Sequence, residues 1–382
     1  MSWVEWVSVV AAVLAVLALA LAGTVFVRQR RQASSDDLAH AEPVQEVAAA
    51  PREGRVVAFV ANPSKPDVPA LRAAVYKAAS ERYLPEPLWL ETTVGDPGVG
   101  QAREAVAAGA DLVIAVGGDG TVRAVAEALA GTGVPMGLMP LGTGNLLARN
   151  LDIPLNDPIA AMGVAIDGQD KPIDVGWLKV VKWESLMDDD IAEAADDMPD
   201  DTDHPRDHVF LVIAGLGFDA QMVADADDDL KAKMGWMAYF VAGAKHLNGR
   251  RLKLRVRLDG GQTETVRVRS MLIGNCGKLP GGITLLPDAV IDDGELDVAL
   301  IDTRGGLAGW AQLFGEVALQ GVGVRNDLPG KVGRIDHTRA RRVHLAASRP
   351  EPVQVDGDIV GHATEIEARV DRQALVVRVP AA

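Results

Sequence analysis

The spacing of apolar and polar residues changes at about residue 168. Before it, short apolar runs alternate with segments of helical spacing, and after it strand-like runs follow one another with few helices between them. The first pattern predicts a parallel sheet covered by helices, and the second predicts an antiparallel sandwich. We therefore expect an α/β domain over residues 55–167, a β-sandwich domain over residues 168–365 and a C-terminal segment at 366–382.

A polar residue lies at or just past the end of each of four predicted strands of the α/β part. The strands are expected at 55–61, 88–92, 112–116 and 134–139, and the polar residues are Asn62, Thr92, Asp119 and Thr143. Ligands of a parallel sheet bind at the carboxyl ends of its strands. The four side chains are therefore expected on one rim.

The chain is organised around the loop Gly117-Gly118-Asp119-Gly120. It follows the unbroken apolar run Leu112–Val116 and precedes helical spacing from Thr121 to Ala130. A glycine turn that opens a helix exposes backbone N–H groups to a phosphate, and the Asp119 carboxylate could position magnesium or a phosphate-bound water. A plain tight turn between strand and helix is the alternative.

A second glycine-bearing turn, Leu141-Gly142-Thr143-Gly144-Asn145, follows the strand at 134–139 and opens a helix at Leu146–Asn150. Thr143 and Asn145 could simply cap that helix. Two such turns from neighbouring strands also describe a clamp for a nucleotide. The pair favours phosphate binding more than either turn does alone.

The sandwich is predicted from eight strand-like runs, at 171–182, 208–214, 252–258, 264–275, 295–302, 341–346, 352–356 and 374–379. Residues 184–207 are dense in aspartate and nearly free of large apolar residues, which predicts a disordered acidic insert. Helical spacing over 219–247, rich in methionine and aromatic residues, predicts either an adaptable wall for an acyl chain or ordinary core packing.

The N-terminal stretch Val7–Val27 is apolar and long enough to cross a bilayer as a helix of roughly 30 Å. Three arginines, Arg28, Arg30 and Arg31, follow it, and by the positive-inside rule they would lie in the cytoplasm. We expect a single-pass transmembrane anchor at 1–31 in the cell membrane, a flexible linker at 32–54 and a cytoplasmic catalytic part. A cleaved signal peptide is the alternative.

Composition narrows the class of protein further. The 382 residues include 38 Lys and Arg against 53 Asp and Glu, and the resulting net charge of −15 argues against nucleic acid as a partner. The single cysteine, Cys276, excludes an internal disulfide. No Cys/His spacing in the sequence resembles a zinc site.

With its two glycine turns and several later motifs, the sequence resembles the lipid kinases that carry a diacylglycerol kinase catalytic domain. This family includes bacterial diacylglycerol kinases and the sphingosine and ceramide kinases. The later motifs are Asn62-Pro63-Ser64, Gly215-Leu216-Gly217-Phe218-Asp219-Ala220, Gly274-Asn275 with Gly281-Gly282, Pro287–Asp297 and Val355-Asp356-Gly357-Asp358. The resemblance implies a phosphofructokinase-like and NAD-kinase-like α/β domain, then a β-sandwich, with the last segment returning to the first domain.

The resemblance also implies roles for individual residues. ATP would be held by Asn62, Pro63, Ser64, Lys65, Thr92, Gly118, Asp119, Gly120, Thr121, Gly142, Thr143 and Asn145. Asp356 would be the general base, with Asp119 acting at the nucleotide end. Asp219 would contact the polar head of the acceptor lipid. A structural Mg²⁺ would be held by Asp293 with the carbonyl groups of Val290 and Glu295.

The sequence departs from the family pattern in two places. Many relatives carry Asn-Glu after the Gly-Gly-Asp-Gly-Thr-hydrophobic run, where this chain has Arg123-Ala124, and many carry Glu where this chain has Asp358. Arg123 lies one turn into the predicted helix and could contact a phosphate or face solvent. Neither change removes an expected catalytic group.

Together these observations predict an ATP-dependent lipid kinase, with diacylglycerol as the first candidate acceptor and phosphatidic acid as its product. A sphingoid-base or ceramide-like acceptor, an NAD kinase-like enzyme and a catalytically weak lipid-binding scaffold are the alternatives. A membrane lipid is the expected partner, and a homodimer is left open.

Overall fold

The computed structural model describes residues 55–81, 85–183, 207–217, 251–279, 285–303 and 333–381. Within them, 14 strands form one continuous hydrogen-bonded network. Parallel strands alternate with helices in its first part, and antiparallel neighbours make up the rest. The α/β and β-sandwich components of the predicted fold class are confirmed.

The α/β part is built on four parallel strands in the order β2-β1-β3-β4. They are β1 (Val57–Ala61), β2 (Leu88–Glu91), β3 (Leu112–Gly117) and β4 (Met136–Pro140). The helices are α1 (Val68–Glu81), α2 (Val99–Ala107), α3 (Asp119–Leu129), α4 (Leu146–Asn150) and α5 (Pro158–Asp167). All six residues of β3 are buried, as expected for a parallel strand that is covered on both faces.

Helix α3 is held against the sheet by one apolar stripe. Val122, Val125, Ala126 and Leu129 recur at the spacing of one helical face, and all four are buried. Burying one Val or Leu side chain contributes about 1.5–3 kcal/mol to stability. The stripe therefore also fixes the position of the glycine loop that opens the helix.

The sandwich part has ten strands in the described residues. They are β5 (Gln169–Trp183), β6 (Asp207–Phe210), β7 (Ile213–Gly217), β8 (Leu252–Leu258), β9 (Thr263–Val268), β10 (Ser270–Gly274), β11 (Leu296–Thr303), β12 (Gly333–Ala340), β13 (Arg342–Val355) and β14 (Asp358–Val379). Inward residues such as Leu178, Phe210 and Leu254 form a core cluster separate from that of the parallel sheet. Along β8, buried apolar residues alternate with exposed cationic residues, which is the pattern of a strand with one solvent-exposed face.

Strand β14 connects the two parts. It pairs with β13 and β5 in the sandwich and, at Val377 opposite Met136, with the parallel strand β4. The N–H of Gly131 donates to the carbonyl of Ala374 at 2.7 Å. One strand thus runs from the sandwich into the α/β sheet, across the predicted limit at residue 366.

Two of the predicted strands, 341–346 and 352–356, are one strand, β13. Two prolines, Pro350 and Pro352, interrupt the sequence pattern, and the pairing of β13 with β14 shifts register between Ala346 and Glu351. A bulge of this kind accommodates residues that cannot donate to the ladder. Strand β12 was not predicted, because its sequence is mostly polar, and it lies at the edge of the sheet, paired with β11.

The predicted fold class is corrected in one respect, the N-terminal transmembrane helix. In the part of the chain that the structure describes, no helix is long and apolar enough to cross a bilayer. The longest described helix, α1, has 14 residues and spans roughly 21 Å. The single-pass anchor, and the membrane localisation deduced from it, are therefore not supported, and the segment Val7–Val27 itself lies outside the described residues.

Three other sequence-based predictions fall outside the described residues. They are the linker at 32–54, the acidic insert apart from Asp207, and the helical region 219–247 with the acceptor-contacting residue Asp219.

Candidate functional site

The two glycine turns contact each other at the carboxyl ends of β3 and β4. The N–H of Leu141 donates to the carbonyl of Gly117 at 2.8 Å. A Cβ atom added to Gly142 would lie 2.7 Å from the Cα of Gly118, a separation that side-chain atoms do not show. Glycine at position 142 is therefore required by the close approach of the two backbones.

Asp119 connects the first turn to the second. Its Oδ1 accepts the N–H of Leu146 at 2.6 Å, and its Oδ2 accepts the N–H of Asn145 at 2.9 Å. Burial raises the pKa of Asp119, while these two N–H groups lower it. Each carboxylate oxygen is thus engaged with the start of α4, and the side chain acts first as a connector between loops.

Asn145 closes the second turn on itself. It has a left-handed backbone, with φ of 47°, and its Oδ1 and Nδ2 exchange hydrogen bonds with the N–H and carbonyl of Gly142 at 2.9 and 2.7 Å. Its side chain does not cap α4. The helix-capping interpretation of this turn is therefore not what the structure shows, and Thr143 is left exposed.

The N-terminus of α3 lies beside this contact. Its N-cap residue, Gly118, provides no side-chain cap, and the helical ladder starts with the N–H of Val122 donating to Gly118 at 3.0 Å. The backbone N–H groups of the first turn precede that ladder and point out of the helix end. They form a surface of donors, with a positive dipole end, that suits a phosphate.

The other rim residues lie at the ends of β1 and β2. The N–H of Asn62 donates to the carbonyl of Val116 at 2.9 Å, which places Asn62 next to the end of β3. The N–H of Thr92 donates to the carbonyl of Ala61 at 2.9 Å, which places Thr92 next to the end of β1. Asn62 Oδ1 accepts the N–H and hydroxyl of Ser64 at 3.0 and 2.7 Å, which shapes the turn Asn62-Pro63-Ser64-Lys65. The four polar residues predicted at the strand ends therefore lie on one rim of the sheet.

Asp356 lies at the tip of the hairpin between β13 and β14. Val355 pairs with Asp358, and Asp356 and Gly357 have φ of 47° and 93°, the left-handed pair that a two-residue hairpin turn requires. The Asp-Gly sequence is thus first of all a turn signal. The side chain, by contrast, points inward and is buried.

The Asp356 carboxylate accepts three backbone N–H groups. Oδ2 accepts from Leu211 at 2.8 Å, and Oδ1 accepts from Val212 and Ile213, both at 2.9 Å. Burial raises the pKa of Asp356, and the N–H groups together with the nearby Arg123 lower it. With two acceptor sites on each oxygen, Oδ2 keeps one lone pair for a further proton donor.

The acidic turn predicted to hold magnesium is occupied by internal ion pairs. Asp292 pairs with Lys171 at 3.1 Å, and Asp293 lies 3.6 Å from Arg339 while accepting the N–H of Glu295 at 3.0 Å. Among the described residues, no three His, Cys, Asp or Glu side chains gather as a metal site. The Asp292 and Asp293 carboxylates lie next to cations rather than forming a separate set of ligands for Mg²⁺. A magnesium site at Val290, Asp293 and Glu295 therefore stays a prediction.

Two buried polar residues support the site, although the sequence analysis assigns a role to neither. Asp174, in β5, accepts the N–H groups of Gly294 and Gln373 at 2.5 and 2.7 Å and so fixes the acidic turn. Asn275 donates to the carbonyls of Asp174 and Leu211 at 2.9 and 3.1 Å. The position of Asp174 within the otherwise apolar run 172–178 is the signal that could have singled it out.

Family comparisons agree with this architecture. Residues 83–178 match the diacylglycerol kinase catalytic domain, and residues 212–379 match the YegS C-terminal NAD kinase beta sandwich-like domain. A crystal structure of a diacylglycerol kinase from Bacillus anthracis superposes with a TM-score of 0.60 at 21% identity, covering 85% of this chain and 97% of that one. At this identity the likeness shows the fold.

Curated relatives are closer in sequence. The chain is 32% identical to a diacylglycerol kinase of Mycobacterium tuberculosis, over 66% of this chain and 72% of the relative. It is 30% identical to a YegS-like lipid kinase of Pseudomonas putida, over 73% and 80%. An uncharacterized protein of Synechocystis is 30% identical over 71% of this chain but 55% of its own length. The chain therefore belongs to the family of lipid kinases that carry a diacylglycerol kinase catalytic domain followed by a YegS-type β-sandwich domain.

Proposed function

We propose that this chain transfers the γ-phosphoryl group of ATP to the hydroxyl of diacylglycerol, producing phosphatidic acid. The observation that carries the proposal is the contact between the two glycine turns, joined by Asp119 beside the uncapped start of α3. Relatives named diacylglycerol kinase motivate the choice of acceptor. The net charge of −15 disfavours nucleic acid as a partner, and a homodimer stays open.

Phosphoryl transfer depends mainly on positioning and on donors directed at the phosphate oxygens. In this chain the N–H groups at the start of α3, preceded by Gly118, would face the phosphates. Asp119 would keep the second turn in contact with the first, so that both sides of the nucleotide site are held together. ATP enters kinases with Mg²⁺, which would neutralise phosphate charge at this site. The structural Mg²⁺ predicted at Val290, Asp293 and Glu295 is a separate site and stays a prediction.

A lipid hydroxyl is a weak nucleophile and needs a proton acceptor. We assign that role to Asp356, whose Oδ2 keeps one acceptor site beyond its bond from Leu211. The three N–H groups that hold the carboxylate fix its orientation. Because burial raises its pKa, the group holds a transferred proton more readily than an exposed aspartate does.

The proposal is tested by incubating the purified chain with γ-labelled ATP and, in separate reactions, diacylglycerol, sphingosine or NAD. Label in diacylglycerol supports the full proposal. Label in sphingosine alone keeps a lipid kinase and replaces the acceptor. Label in NAD alone contradicts a lipid acceptor. If none of the three is labelled while nucleotide is still bound, the proposal fails, and a catalytically weak scaffold is the alternative to test by lipid binding.

A further inference from the structure

Arg123 and Asp358, which both belong to the departures from the family pattern, contact each other. Arg123, on α3, donates from Nη2 to Oδ2 of Asp358 at 2.7 Å and from Nη1 to the carbonyl of Val355 at 2.8 Å. Arg123 and Asp358 are 235 residues apart in sequence. One guanidinium therefore contacts the residue before and the residue after the Asp356-Gly357 hairpin tip.

This contact differs from an ordinary surface ion pair, which contributes little because water competes for both partners. The Arg123 side chain is only 20% exposed, although that of Asp358 is 59% exposed. Its second acceptor is a backbone carbonyl, so the fork of the guanidinium is satisfied at two fixed points. The geometry of the tip is thus tied to the position of α3.

Asp119 and Asp356 both lie near this pair. Asp358 raises the pKa of Asp119, Arg123 lowers the pKa of Asp356, and a Cβ on Gly120 would lie 3.9 Å from Oδ2 of Asp358. The pair therefore stands between the loop that faces the phosphates and the residue assigned as base.

We propose that Arg123, paired with Asp358, is a positioning residue that clamps the hairpin tip bearing Asp356 onto the helix that opens at the nucleotide loop. This inference rests on the proposed function. The two ends of the reaction come from opposite ends of the sequence, and Arg123 joins them by a direct contact. A shift of about 1 Å in a catalytic group can reduce the rate about 10²-fold, so such a contact has a measurable consequence.

The clamp predicts a split between kcat and KM. In Arg123→Ala, kcat should fall by about 10²-fold because Asp356 loses its position. The KM for ATP should change by less than about threefold because the two glycine turns are unchanged. Asp358→Ala should lower kcat in the same direction. The double variant should lower kcat no further than Arg123→Ala alone, since the effects of residues that act as one unit are not additive.

The pH profile separates charge from position. In the part of the chain that the structure describes, Arg123 on α3 and the Cys276 thiol lie close enough to Asp356 to interact with it electrostatically, and Asp358 lies two residues away on the same turn. Removing Arg123 takes away a cation that favours the carboxylate, so the acidic limb of kcat should move to higher pH. Arg123→Lys keeps the cation but not the two-pronged contact; its acidic limb should stay in place while kcat remains low.

The control is Arg342→Ala, which breaks an ion pair with Glu367 of 3.2 Å in the sandwich and should leave kcat and its pH profile unchanged. The proposal is overturned if the kcat of Arg123→Ala stays within threefold of the wild-type value, or if its loss of activity appears wholly as a higher KM for ATP. It is also overturned if kcat falls as far in Arg342→Ala as in Arg123→Ala. Should the wild type phosphorylate no acceptor, the proposed function fails. The clamp is then judged by a double-mutant cycle of thermal unfolding, in which zero coupling between positions 123 and 358 overturns it.

Discussion

At the scale of single residues, the site depends on how carboxylate oxygens are shared among backbone donors. Asp119 uses one oxygen for each of two N–H groups, and Asp356 uses both oxygens for three. An asparagine at either position has only one acceptor oxygen, so one backbone donor would face an NH₂ group. The same substitution should be tolerated where a single oxygen accepts both donors, as at Asp157 and Asp259.

Asp119→Asn should raise the KM for ATP by about tenfold and lower the unfolding free energy by about 1–3 kcal/mol, because one donor at the start of α4 loses its partner. Asp157→Asn is the matched control: its Oδ1 accepts both Ile159 and Ala160 at 3.0 Å, and asparagine keeps that oxygen. Steady-state kinetics and chemical denaturation measure both. Equal stability losses in the two variants would contradict the connecting role of Asp119.

Asp356→Asn should lower kcat by about 10²–10⁴-fold, because the amide cannot accept the proton, and should also reduce stability by about 1–3 kcal/mol at the Leu211 N–H. Asp259→Asn serves as its control, since Asp259 occupies another left-handed Asp-Gly hairpin and accepts Arg341 and Arg342 through Oδ1 alone, each at 2.8 Å. A kcat within threefold of wild type in Asp356→Asn would leave the general base unassigned.

At the scale of elements, apolar periodicity and glycine spacing predict individual strands, helices and turns. The buried run of β3, the stripe of α3 and the two turns follow from local patterns. The bond from Asp119 to the start of α4 does not, because it depends on where two loops meet. The pairing of Arg123 with Asp358 and the support of the acidic turn by Asp174 are likewise products of the tertiary fold.

The contact between the two glycine turns makes a direct prediction. Gly142→Ala should weaken ATP binding by at least about tenfold, because the new Cβ would lie 2.7 Å from the Cα of Gly118 and force the turns apart. Gly163→Ala, in α5, is the matched control; a Cβ there meets nothing within 4 Å, and alanine favours the helix by about 1 kcal/mol. Equal ATP affinity in the two variants, by calorimetry, would refute the close-contact argument.

At the scale of the whole molecule, β14 makes the α/β sheet and the sandwich one hydrogen-bonded network. The sequence predicts both parts but not the length of this strand, since charged residues interrupt its apolar positions between Asp358 and Arg372. The final residues, from Leu375 on, bury Leu375 and Val377 in the core of the α/β part. Stability of the nucleotide site should therefore depend on the C-terminus.

Val377→Asp should abolish nucleotide binding and cooperative unfolding together, because it places a charge where the side chain is fully buried and opposite Met136. Ala381→Asp, at an exposed position near the same terminus, adds the same charge and should leave both properties unchanged. Circular dichroism during thermal unfolding, combined with ATP titration, measures the effect. Intact ATP binding in Val377→Asp would show that the α/β sheet is independent of β14.

The most direct test of the whole account is transfer of γ-label from ATP to diacylglycerol, measured side by side for wild type, Gly142→Ala and Asp356→Asn. We expect labelled phosphatidic acid from the wild type. Labelling should fall in Gly142→Ala and be restored by a higher ATP concentration, and it should fall in Asp356→Asn without being restored. Wild-type protein that binds ATP yet labels no lipid, or equal labelling by all three proteins, would contradict it.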